Sequence, residues 1–144
     1  MTNWSQFAWL SHQAADGLLV GWPITAALSF LFVVGLFAYL RRSSPKFTGG
    51  WLLQMTPLLV PMAILMLGSV YSCCSPVSAG QRVSHRGVGY VILALVILQL
   101  QATAFLISVA KGARLAVSAL QGMFLFCTFW SSFVATMSIS GDWL

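Results

Sequence analysis

Glutamate is absent from this chain of 144 residues, and Asp16 and Asp142 are its only acidic side chains. Charged residues make up 6% of the sequence and hydrophobic ones 59%, against roughly a quarter charged and just under half apolar in an ordinary soluble domain. So few charges exclude a water-facing surface around a chain of this size. The three cysteines, Cys73, Cys74 and Cys127, form no CxxC pair and no Cys/His spacing that suits a metal. Four-helix membrane proteins that pass electrons from thiols to quinone use separated cysteine pairs, and adjacent Cys73 and Cys74 are not such a pair. No internal repeat or inverted symmetry of the transporter kind is visible. No catalytic residue is expected, and the chain reads as a non-enzyme.

What the sequence does have is long apolar runs. A helix needs about 20 apolar residues to cross a hydrocarbon layer about 30 Å thick. Four such runs fit here, over 17–40, 50–71, 87–110 and 115–139. The expected fold is all-α, a single integral membrane four-helix bundle over 1–144. Residues 1–16 mix Trp4, Phe7 and Trp9 with Ser, Gln and His, and read as a short helix in the headgroup region. With no Lys or Arg there, a cleaved secretion signal is not expected. Pro57 and Pro61 each remove a backbone donor, so the second span should kink. Lys111-Gly112-Ala113-Arg114 is short enough to close the last two spans into a hairpin. Trp22, Trp51, Tyr71, Tyr90 and Trp143 fall near the expected span ends, where interfacial aromatics belong.

The seven Lys and Arg residues, which give a net charge of +5, stand singly or in pairs between apolar runs. That pattern orients a membrane protein and offers no contiguous surface for nucleic acid. Arg41, Arg42 and Lys46 lie in the first loop, Arg82 and Arg86 in the second, Lys111 and Arg114 in the third. The positive-inside rule then puts both termini outside, periplasmic or lumenal, in a bacterial inner membrane or a thylakoid-like one.

No Asp, Glu, Lys or Arg falls inside the four runs, which argues against a proton relay. Amides stand there instead. Gln99 and Gln101 point about 200° apart on a helix, so each needs its own polar partner: a neighbouring helix, another subunit, a lipid or a cofactor. His85 and Arg86, where a polar loop enters the third span, are candidates for a haem iron or chlorophyll magnesium and for a propionate or anionic lipid, or else a simple interfacial anchor. His12 is a weaker candidate of the same kind. Gly17 and Gly21, Ser118 and Gly122, and Ser131 and Ala135 place small residues four apart, where helices approach closely. Met55, Met62 and Met66 suggest adaptable core packing, and Cys127 a small buried hydrophobe. Phe124, Phe126, Phe129, Trp130 and Phe133 crowd the fourth span over more than one face and would suit a subunit, a carotenoid or a porphyrin.

The run His85-Arg86-Gly87-Val88-Gly89-Tyr90, followed by an apolar helix with Gln99 and a hairpin into a fourth helix, resembles the four-helix b-type cytochromes and their cyanobacterial relatives. The resemblance covers the C-terminal half and implies a haem-binding scaffold. The spans hold no histidine, however, and Gln121 stands where a helix-borne imidazole is expected. A glutamine can still ligate chlorophyll magnesium. The role expected first is an accessory subunit of an energy-transducing membrane complex, photosynthetic or respiratory, bound to other membrane subunits and lipid. A carrier of haem b serving quinone and a small channel are the alternatives.

Overall fold

The computed structural model describes residues 3–41, 50–71, 86–110 and 112–140, and all of the regular structure in them is helical. Helix α1 covers Asn3–Val20 and α2 Trp22–Leu40. A five-residue α3, Trp51–Met55, passes through a 3-10 turn at Thr56–Leu58 into α4, Leu59–Val70. The last two helices, α5 over Arg86–Val109 and α6 over Arg114–Ser140, form the expected hairpin. Four stretches are long and apolar enough to cross a membrane: Trp22–Leu40, Leu52–Val70, Gly87–Val109 and Arg114–Ser140.

Proline chemistry sets two of the breaks. Pro23 sits at the start of α2 and has no N–H for the carbonyl of Leu19, one turn earlier. The helix therefore interrupts at Gly21, and the expected start of the first span at residue 17 falls inside α1. Pro57 likewise deprives Leu53 of a donor, and the Thr56 hydroxyl donates to the Leu53 carbonyl at 2.8 Å in its place. The anticipated kink of the second span is thus a 3-10 turn with its loose carbonyl satisfied.

Helix α6 is the axis on which the others assemble. Gln54 bonds to Gln121, and Gly68 abuts Ala135; the equal offset means that α3 and α4 run parallel to α6 in constant register. Gly21 meets Phe126, Leu28 meets Gly122 and Gly35 meets Ala116, a descending order that makes α2 antiparallel to it. Three of the small residues singled out in the sequence, Gly21, Gly122 and Ala135, are therefore points of close approach. Ser118, by contrast, is exposed. At Gly35 a Cβ would stand 2.5 Å from the Ala116 backbone nitrogen, so only glycine lets these helices touch. Gly112, with φ of +101°, turns the α5–α6 hairpin in a conformation that side chains resist.

Helix α1 packs on the C-terminal parts of α4 and α6. Its Leu10 and Ala14 are buried with Leu65 of α4 and Val134 of α6, and Trp130 of α6 lies over Gly17. The Trp130 indole Nε1 donates to the Gln13 carbonyl at 3.4 Å. Trp22 is the first residue of the stretch Trp22–Leu40 and is exposed. The methionines of the second span also differ from expectation, since Met55, Met62 and Met66 all face outward.

Candidate polar site inside the bundle

The helices bury amides and hydroxyls and expose hydrocarbon. Gln54, Gln99 and Gln121 are fully enclosed, with Thr103, Thr128, Ser69, Ser131 and Ser138 almost so. Most hydroxyls with a bond are served by their own helix: Thr128 donates to the Phe124 carbonyl at 2.8 Å and Ser69 to that of Met66 at 2.8 Å, the back-bonding open to short side chains. Glutamine is too long for that and must reach across.

Gln121 does so. Its Nε2 donates to the Gln54 backbone carbonyl at 3.0 Å and to Gln54 Oε1 at 3.2 Å. The first acceptor exists because Pro57, three residues on, has no N–H for a 3-10 bond to the Gln54 carbonyl. The proline break and the buried amide are therefore one device, tying α3 to α6.

Gln99 and Thr103 lie four apart on the inner face of α5, continued by Leu106 and Ala110. Counted from the turn at Ala110 and Ala113, Thr103 and Gln121 both lie about two helical turns inward and Gln99 about three. Among the described residues, Gln99 Oε1 and Nε2, Thr103 Oγ1, Gln54 Nε2 and Gln121 Oε1 have no hydrogen-bond partner. Each such atom is costly and calls for a cause. They are two amide donors, two amide acceptors and one hydroxyl, all neutral, and cannot relay protons by ionisation.

The other residues marked in the sequence lie elsewhere. Gln101 is exposed on the opposite side of α5 from Gln99, as helical geometry requires. His12 faces outward from α1, its Nδ1 3.0 Å from Asp16 Oδ2. His85 lies outside the described residues, as do Cys73 and Cys74, while Arg86 begins α5. No described imidazole meets the glutamines. Gln99 and Gln121 are both fully enclosed. Gln54 was passed over in the sequence; its signal was a lone amide in an apolar run, three residues before a proline. At the hairpin end, Gly35, Ala38, Tyr39, Gly112, Ala113, Arg114 and Leu115 line a mostly apolar groove of about 350 Å³. Compared with family models, with curated proteins and with solved structures, the chain has no match.

Proposed function

We propose that this chain is a multi-pass integral membrane protein acting as a non-catalytic subunit of a larger membrane complex, held to its neighbours by helix contacts. One observation carries the reading: the molecule is inside out by the standards of a soluble protein. Leu52 is 88% exposed, Val20 76%, Tyr90 72% and Phe30 68%, while Gln54, Gln99 and Gln121 are at 0%. Such a surface is stable against acyl chains or other apolar helices and unstable against water.

The subunit role is supported by what the interior holds. Neutral amides pack its helices together, as Gln121 does on Gln54. Helix α2 buries only Gly35 and packs chiefly on α6, so most of its sides are open to lipid or to another chain. The resemblance of the C-terminal half to b-type cytochromes favours an energy-transducing complex. Extraction of native membranes in mild detergent tests the reading: the chain is expected to co-migrate with other membrane subunits, and a lone monomer in every gentle detergent refutes it. A visible spectrum of the same material decides the haem alternative, which requires a Soret band.

A further inference from the structure

The reading above rests on α4, α5 and α6 crossing the bilayer, and this placement has a consequence for α1. Gly17 lies under Trp130, and Leu10 packs with Leu65 and Val134, so His12 and Asp16 stand beside the stretch Trp130–Val134 of α6. At about 1.5 Å per residue the 27 residues of α6 measure about 40 Å, some 10 Å more than the hydrocarbon layer. With α6 centred, Asp16 lies roughly 10 Å inside that layer and His12 nearer its edge. Both point away from the bundle, their side chains 76% and 48% exposed. Acyl chains are a poor neighbour for such a pair, and an intramembrane ionisable group calls for a named partner.

We infer that this face of α1 is the contact between two copies of the chain. The exposed stripe Ser5, Ala8, His12, Ala15, Leu19 repeats at intervals of three and four residues, the spacing of a helix–helix seam. Ala8 and Ala15 on either side of His12 let a second helix come close. The polar pair is also self-complementary, as a two-fold interface requires. His12 engages its own Asp16 through Nδ1 and leaves Nε2 for the Asp16 carboxylate of the second copy. Two copies thus bring two imidazoles and two carboxylates together by symmetry. Another subunit would need its own matched acid and base at the same depth, whereas a second copy brings them by symmetry.

Cysteine cross-linking in native membranes tests this. In a chain with Cys73, Cys74 and Cys127 replaced by serine or alanine, Ala8→Cys and Ala15→Cys are each expected to give an adduct of two copies on oxidation, and Val33→Cys on the exposed side of α2 is not. Asp16→Lys should lower the adduct at least tenfold, and the exchange His12→Asp with Asp16→His should restore it, which shows that the chain still folds. Adducts only with a different protein, or none while other subunits still co-purify, overturn the second-copy contact and leave the subunit role standing. The absence of both adducts and co-purifying subunits overturns the two together.

Discussion

Two glutamines at similar depth, both fully enclosed, should respond in opposite directions to the same substitution. In Gln121→Leu two hydrogen bonds to Gln54 disappear, and Gln54 is left with further unpaired groups. Interhelical bonds in membranes average about 0.6 kcal/mol and reach about 1.7, so the loss should be about 1–2 kcal/mol. Gln99 makes no bond to lose among the described residues. Burying an unpaired amide costs about 1–3 kcal/mol on protein scales, and Gln99→Leu removes that cost while keeping similar volume. In a bilayer the unfolded helix is also out of water, which cuts the gain to about 1 kcal/mol. The two variants should thus differ by about 2–3 kcal/mol, roughly 30- to 150-fold in the unfolding equilibrium. Reversible unfolding in mixed micelles, or steric trapping in bicelles, measures that difference. If Gln99→Leu proves as destabilising as Gln121→Leu, the Gln99 amide has a partner, a water or a ligand, and its reading as an unsatisfied packing residue is wrong.

Further outcomes follow from close contacts. Gly35→Leu forces a side chain against the Ala116 backbone, and overpacking of this kind costs about 1–3 kcal/mol; increased labelling of a cysteine at Ala113, buried where Tyr39 packs, would report α2 lifting from α6. Trp130→Phe keeps a ring over Gly17 but removes the donor to the Gln13 carbonyl, so hydrogen exchange should rise in residues 7–17 and stay unchanged in α5. Gly112→Ala places a Cβ at φ +101°, a conformation disfavoured by about 1–2 kcal/mol, and should lower the thermal midpoint without altering helix content by circular dichroism.

The last two helices were legible almost to the residue, 87–110 and 115–139 against Arg86–Val109 and Arg114–Ser140, because charged residues bracket each run. The first was not. Residues 17–20 are as apolar as 22–40 and read as one run, whereas the break comes from Pro23 acting one turn back on Leu19, a local backbone effect that hydropathy does not record. The glutamine site was half legible. The opposite facing of Gln99 and Gln101 follows from helical geometry alone, but the union of Gln54 with Gln121 depends on the register between α3 and α6.

That register marks the deeper limit. In a soluble helix the apolar stripe shows which side faces the core, because water and core differ so strongly. Here the inner and outer sides of a helix are both apolar, and α2 displays Phe30, Val33 and Phe37 outward with no polar face opposite. What selects the inner side is what hydropathy ranks lowest in such a run: Gly35 against Ala116, Gly68 against Ala135, and the amide of Gln121 on Gln54. The same logic explains why the methionines misled. Met55, Met62 and Met66 suit a core by softness, yet the core here is chosen by smallness and by hydrogen bonding, and the bulky flexible side chains are left to the outside.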